Sequence, residues 1–250
     1  MQQSLSAQIL VINLKHSTDR WLNVSKQLDQ LGMPYTRIDA VWGKELTQEQ
    51  LSAVIDTSRS QREFHYQLTA GEIACYLSHL KAWQYIVDHQ LDYAVVLEDD
   101  VCFSSDFKDI HEAIAAVYEP WHVLKLAAPF KQQPAITTRA IKQFDLVRYR
   151  KPPIGACAQV ISLAGAKRLL AQRPPLFRPI DVDIQWQHEL GLQVYGLLPY
   201  TVDNTHTHGS DIKSVADRRQ VKRHPWRRLK HQLLLYLDGR KAAAEFEHTN

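Results

Sequence analysis

The chain has 250 residues, 45% of them hydrophobic and 23% charged, which suits a globular domain with its own core and excludes a disordered or fibrous protein. Its formal net charge of +3 is unevenly placed: from Asp211 onward ten Lys/Arg face five Asp/Glu, so the first 210 residues carry a net −2. The basic character belongs to the tail and says little about the ligand of the main domain.

Residues 1–7 lack the basic patch and apolar core of a secretory leader, and no later apolar run reaches membrane-spanning length, so a cytosolic protein is expected. Residues 8–14 form a short apolar run that reads as a buried first strand. Trp21, Leu22, Val24, Leu28 and Leu31 then recur at helical spacing over residues 17–31, and Gly32 closes that helix. Residues 35–39 suit a second strand, and residues 46–55 and 70–89 suit helices. Asp92-Tyr93-Ala94-Val95-Val96-Leu97 is the clearest strand in the sequence and runs straight into Glu98-Asp99-Asp100. Further on come a helix near 107–118, strands at 122–126 and 157–161, helices at 164–171 and 184–190, and a strand at 194–198. This alternation predicts an α/β fold, a central sheet with helices on both faces, with ligands beyond the carboxyl ends of its strands. The expected division is a catalytic domain over residues 1–211 and a basic helical tail over 212–250.

Cys75, Cys102 and Cys157 are an odd set without C-x-x-C spacing, so neither a disulfide framework nor a thiolate zinc site is suggested. They read as reduced, mostly buried thiols. No G-x-S-x-G elbow, no P-loop and no Gly-rich turn after the first strand is present, which removes serine hydrolases, P-loop enzymes and dinucleotide binders.

The acid triplet carries the chemistry. Three like charges crowded at the end of a buried strand are unfavourable without a cation. A divalent ion, Mn²⁺ or Mg²⁺, held by carboxylates and bridging to substrate phosphates would relieve that cost. The alternative is a solvated acidic turn.

Four stretches, taken in order, carry a family resemblance. They are Val11-Ile12-Asn13-Leu14 with Asp19-Arg20; Arg37-Ile38-Asp39-Ala40-Val41-Trp42-Gly43; Leu68-Thr69-Ala70-Gly71-Glu72-Ile73-Ala74-Cys75-Tyr76-Leu77-Ser78-His79; and Val96-Leu97-Glu98-Asp99-Asp100-Val101. Together, over roughly residues 8–211, the chain resembles glycosyltransferase family 25. That family contains lipooligosaccharide galactosyltransferases of Gram-negative bacteria and, more distantly, collagen galactosyltransferases. The resemblance implies a GT-A-like single nucleotide-sugar-binding domain, a UDP-hexose donor, a divalent cation and inversion at the anomeric carbon. Glu98-Asp99-Asp100 stands where the family has its D-x-D-type motif, so Asp100 and Glu98 would hold the metal, with Glu98 and Asp99 also meeting the donor. Asn13, Arg20 and Asp39 would line the uridine pocket, and Ser78 and His79 would lie beside the donor. For Arg20 the alternative is a surface pair with Asp19. Trp42, where many relatives have an acid, and Gln159, where an aromatic is frequent, depart from the pattern and bear on sugar selectivity.

An inverting transfer needs a base for the acceptor hydroxyl. Pro179-Ile180-Asp181-Val182-Asp183 offers two carboxylates; Asp181 follows a family-like pattern and is the candidate base, with Asp183 in reserve and helix capping the alternative for both. A late histidine would complete the metal site, and His206 and His208 are both eligible; their alternative is a polar loop. The expected function is transfer of a hexose, galactose first and glucose next, from a UDP-sugar to a lipooligosaccharide or lipopolysaccharide acceptor. Two alternatives are a catalytically silent carbohydrate-binding relative and a metal-dependent nucleotidyltransferase.

In the tail, Arg218 to Lys230 packs seven Lys/Arg around Trp226, and Pro225 is expected to separate two short helices. A basic, partly apolar helix of this kind suits peripheral attachment to the anionic cytoplasmic face of a bacterial inner membrane. The alternative is a helix that packs its Leu run on the main domain. No recognised nucleic-acid module accompanies the cations, so no nucleic-acid partner is expected.

Overall fold

The computed structural model describes residues 5–128, 130, 133–204 and 224–249. Strand β1 (Ala7–Asn13) is followed by α1 (Thr18–Gln30), β2 (Tyr35–Asp39), α2 (Gln48–Val54), α3 (Thr57–Glu63) and α4 (Ala70–Asp88). The second group runs β3 (Tyr93–Glu98), β4 (Val101–Phe103), a 3-10 turn at Ser105–Asp109, α5 (Ile110–Ala115), β5 (Val123–Lys125), β6 (Ala135–Ile141), β7 (Phe144–Tyr149) and β8 (Ala158–Ser162). Then come α6 (Leu163–Gln172), α7 (Ile180–Asp183), α8 (Gln187–Leu190), β9 (Val194–Leu198), β10 (Val202–Asn204) and a final helix, α9 (Pro225–Thr249).

Eight strands form one mixed sheet in the order β2-β1-β3-β8-β5-β9-β7-β6, and β10 pairs with β4 in a small second sheet. β1 lies parallel to both β2 and β3, whereas β8 is antiparallel to β3 and to β5. The pleat splits the core in two. Ile9, Val11, Val95 and Leu97 face a cluster built with Val24 and Leu28 of α1 and Ile110 and Ile114 of α5. Leu10, Ile12, Ala94 and Val96, one residue out of phase, face a cluster built with Tyr76, Trp83 and Ile86 of α4 and Leu169 of α6. The continuous apolar runs of β1 and β3 follow from this two-sided burial.

Local chemistry fixes the helix starts. Thr69 and Glu72 form a reciprocal capping box at the start of α4, and Thr47 and Gln50 do the same for α2. Gly32, at φ +66°, ends α1 in the left-handed conformation.

Several elements differ from the expectation. The helix expected near 107–118 is a 3-10 turn plus the six-residue α5, and of the one expected at 184–190 only α8 is helical, with the short α7 standing just before that range. The β6–β7 hairpin carries no sequence signal because β6 is an edge strand with six consecutive exposed or half-exposed residues after Pro134. Pro225 does not separate helices within the described part of the tail: it opens α9, at the position where its missing N–H costs nothing. His206, His208 and the residues preceding Pro225 in the basic run fall outside the described residues.

Helix α9 is two-faced. His231, Leu235, Asp238 and Ala242 are buried on the side that meets α3 and α8. The Asp238 carboxylate accepts from the backbone N–H groups of His188 (3.1 Å) and Glu189 (2.9 Å), capping α8 from another helix. On the opposite side Trp226, Leu229, Leu233, Tyr236 and Leu237 are exposed. Among the described residues, no helix is long and apolar enough to cross a membrane.

Candidate active site

The crevice lies beyond the carboxyl ends of β1 and β3. Its floor is Glu98, Asp99 and Asp100, one wall is the loop Ala40 to Gly43, and the other is the α4 face carrying Cys75, Ser78 and His79; Arg20 of α1 closes the edge. The chain is led there by β3: five buried apolar residues hold the strand, so its acids emerge in fixed directions.

The three acids are held differently. Asp99 is buried and occupied by protein: its carboxylate accepts from Asn13 Nδ2 (2.5 Å) and pairs with Arg20 (3.2 Å). Burial nevertheless leaves its carboxyl above the ordinary range. Burial also raises Glu98, but the hydrogen bond and charge of His79 (3.2 Å), the Cys75 thiol (3.8 Å) and the charge of Lys125 outweigh it and hold Glu98 low. Asp100 is pushed up to about 7, first by burial and then by the adjacent Glu98 charge. Glu98 and Asp100 both face the crevice, and Asp100 is the acid whose charge the protein compensates least.

The sequence-derived site residues divide accordingly. Arg20, Ser78, His79, Glu98, Asp99 and Asp100 all line the crevice. Arg20 pairs with Asp99 across the crevice edge. Ser78 is a clamp: its Oγ accepts from Val41 N–H (2.8 Å) and donates to the Ala74 carbonyl (2.7 Å). Asn13 stands behind the crevice, bridging Asp99 and the Arg37 guanidinium (2.5 Å). Asp39 points outward and pairs with Lys15 at the surface (3.1 Å), so it does not line the crevice.

The two carboxylates of α7 separate sharply. Asp183 is buried and saturated, accepting from Tyr76 (2.7 Å), Arg173 (2.7 and 2.9 Å) and Arg178 (2.8 Å). Burial would raise its carboxyl, but Arg178, Arg173 and Tyr76 overcome that and hold it below the ordinary range. A carboxylate fixed by two guanidinium groups has no lone pair left for an acceptor hydroxyl, so the reserve-base role is withdrawn for Asp183. Asp181, by contrast, is half-buried, and its Oδ1 accepts from Val182 N–H (3.0 Å).

Cys75 and Lys125 carried no functional role in the sequence, and Trp42 stood there only as a departure from the family pattern. Trp42 provides the aromatic wall, its ring 4.5 Å from that of His16. Cys75 sits one helical turn before His79. Lys125, at the end of β5, is buried to 1% exposure and donates to the Gly155 carbonyl. Burial pulls its ammonium down to about 8, against the charges of Cys157, Asp181 and Glu98. A lysine that feels both Glu98 and Asp181 ties the acid triplet to the α7 carboxylate; a lone Lys after two apolar residues gives no such signal in sequence.

A mixed sheet with three acids clustered in a crevice at the carboxyl ends of its strands defines an α/β protein with its candidate site at that edge. The family model for glycosyltransferase family 25 (LPS biosynthesis protein) matches residues 6–184, and the chain belongs to that family. Procollagen galactosyltransferase 1-A of Xenopus laevis is 31% identical over 186 residues, covering 70% of this chain and 30% of the relative. Human procollagen galactosyltransferase 2 is 30% identical over 67% of this chain and 28% of its own length. A probable inactive family 25 member 3 of Bos taurus is 32% identical over 70% of this chain and 30% of its own length. The chain thus matches less than a third of the length of these relatives. A solved Drosophila galactosyltransferase 7 mutant, in complex with manganese, UDP-Gal and xylobiose, is 11% identical with a TM-score of 0.45 over 86% of this chain and 76% of that one.

Proposed function

We propose that this protein is an inverting glycosyltransferase that moves a hexose, galactose first, from a UDP-sugar to the oligosaccharide of a lipooligosaccharide or lipopolysaccharide. The observation that carries the reading is the pair Glu98 and Asp100, facing an open crevice with Asp100 pushed up to about 7. Crowded oxygen donors fit Mn²⁺ or Mg²⁺, and Glu98 and Asp100 are the residues that would hold it. When bound, the ion supplies electrostatic neutralisation of the diphosphate.

The chain's own groups do the rest. Trp42 offers a flat apolar surface for the uracil, and Arg20 lends positive charge at the crevice edge. Asp181 takes the proton of the acceptor hydroxyl as that oxygen bonds to the anomeric carbon and the bond to UDP breaks. Lys125 feels the charges of both Glu98 and Asp181, and its own charge helps hold the Glu98 carboxyl low.

The outer face of α9 suits an anionic membrane: Trp226, Leu229 and Leu233 are exposed in a line, flanked by Arg227, Lys230, Arg240 and Lys241. This reading puts the enzyme at the cytoplasmic face of a bacterial inner membrane, where a glycolipid acceptor is presented.

The test is UDP release with UDP-galactose, UDP-glucose and UDP-N-acetylhexosamines on truncated lipooligosaccharide. UDP-galactose-dependent release that EDTA stops is expected. Release of diphosphate in place of UDP would mark a nucleotidyltransferase. No turnover with any donor would favour a silent binding protein, a reading supported by the inactive relative.

A further inference from the structure

The α4 wall of the crevice carries two side chains, Cys75 and His79, to which the reaction above gives no part. Cys75 and His79 are four residues apart and so share one face of α4, and both point at the Glu98 carboxylate. The Cys75 Sγ, a His79 ring nitrogen and a Glu98 oxygen lie within 4.8 Å of one another. His79 Nε2 is 3.2 Å and Cys75 Sγ 3.8 Å from Glu98 Oε1. Tetrahedral zinc with ordinary Zn–S, Zn–N and Zn–O lengths needs ligand-to-ligand edges of about 3.4–3.6 Å. The two edges to Glu98 lie either side of that value and the third, from Cys75 to His79, is within 4.8 Å, so side-chain adjustment draws the three donors onto a zinc ion.

The donor set differs from that of the acid triplet in softness. Carboxylate pairs suit Mg²⁺ and Mn²⁺, whereas thiolate with imidazole selects Zn²⁺ and its neighbours. Three protein ligands leave a fourth position, and Cys75, His79 and Glu98 all line the crevice, so that position opens toward it. His79 is fully buried, and its Nδ1 has no hydrogen-bond partner among the described residues, so Glu98 alone competes with a metal for the ring.

We propose that Cys75, His79 and Glu98 form a zinc-binding site distinct from the Glu98–Asp100 pair, and that occupancy by Zn²⁺ withdraws Glu98 from the donor side of the crevice. On binding, the Cys75 thiol gives its proton to solvent, the imidazole carries its proton on Nδ1, and the metal takes the freed sulfur and Nε2 lone pairs. Zinc is then an inhibitor of the reaction rather than its cation. The inhibition rests on the transferase reading; the binding site does not.

The binding test needs no donor or acceptor. The reduced full-length protein is titrated with Co²⁺, whose bond to a thiolate gives an intense near-ultraviolet charge-transfer band, and the band is then displaced with Zn²⁺. The band is expected in the wild type and in Cys102→Ser, the control for a half-exposed thiol elsewhere. It should be lost in Cys75→Ser, with Zn²⁺ affinity weakened at least tenfold in Cys75→Ser and in His79→Gln. Should Cys75→Ser fail to fold, alkylation of wild-type Cys75 by iodoacetamide, followed by peptide mass spectrometry, is expected to slow at least tenfold with Zn²⁺ and to be unaffected by Mg²⁺. Absence of the band, its survival in Cys75→Ser, or unprotected alkylation overturns the site. Charge-transfer and protection without inhibition of UDP release would retain the site and remove its link to the transferase reading.

Discussion

Two carboxylate clusters lie on either side of α4, and they are treated in opposite ways. Asp183 is buried among two arginines and a tyrosine, every oxygen is occupied, and its carboxyl is held low. Asp100 is also withdrawn from water, yet it is crowded by Glu98 and its carboxyl is pushed up to about 7. Burial is common to both; compensation separates them. A buried acid with its counter-charges supplied by the protein is architecture, whereas one left short of counter-charge awaits a ligand that brings it.

The largest effect should come from the compensated cluster. Asp183→Ala strands Arg173 and Arg178 without their shared anion and is expected to cost about 3–5 kcal/mol, read as a lowered denaturant midpoint. A loss under 1 kcal/mol would show that Glu189, which also pairs with Arg178 (2.8 Å), carries the network alone.

The uncompensated cluster should behave inversely. Asp100→Ala is expected to lower UDP-hexose turnover by about 10³-fold while the melting temperature holds or rises, because a repulsion is removed. Activity that persists in EDTA would sink the metal assignment.

Asp181 lies between these extremes in burial. Asp181→Asn should lower kcat about 10²-fold with donor affinity nearly unchanged, as measured by UDP-sugar titration. If Asp183→Asn, refolded and shown to be native, gave that pattern and Asp181→Asn did not, the division between the two would be wrong.

A smaller effect is expected where α9 docks. His231 is buried against Phe64 and Trp186, and its Nδ1 donates to the Glu63 carbonyl (3.3 Å). Burial pulls its imidazole down to about 4, with Arg178, His65 and Lys151 acting in the same sense and the Glu63 carbonyl opposing. The folded value lies below the unfolded one, so docking is fully stabilised above about pH 6.5 and is lost as pH falls toward 4, by up to about 3 kcal/mol. His231→Phe should flatten that dependence in acid titrations followed by Trp fluorescence; an unchanged profile would place the acid sensitivity elsewhere.

The weakest effect belongs to the opposite face of the same helix. Replacing Arg227, Lys230 and Arg240 by Gln should reduce partition onto anionic vesicles at low salt by about 1 kcal/mol per residue. Equal sedimentation of variant and wild type would remove α9 from membrane attachment.

The parts legible in sequence were those governed by neighbours in the chain. β1 and β3 followed from apolar runs, and α1 from apolar residues at helical spacing with a glycine just past its end. Asp181 and Asp183 look equivalent because they are two residues apart on one short helix; only the arginines at 173 and 178, folded back around one of them, distinguish the two. For α9, one sequence run supplies both a docked face and an exposed one, so the alternatives of packing and surface attachment do not exclude each other. Cysteine spacing alone argued against a thiolate site, since the partners of Cys75 come from one helical turn later and from the end of a strand.

The loop holding Trp42 is stitched to α4 at two points. Ser78 Oγ accepts from Val41 N–H, and at Gly43 an added Cβ would stand 2.8 Å from the Ala70 carbonyl oxygen, so only glycine permits the approach. The indole is thereby indexed to the helix as a tooth is to a gear, and α4 cannot slide along the sheet without carrying the aromatic wall with it. Selectivity among nucleotide bases and sugars then becomes a property that evolution can tune from a distance. A substitution on the sheet-facing side of α4, at Ile73 or Ile86, would shift the span between Trp42 and the acid floor while leaving every residue of the crevice in name unchanged.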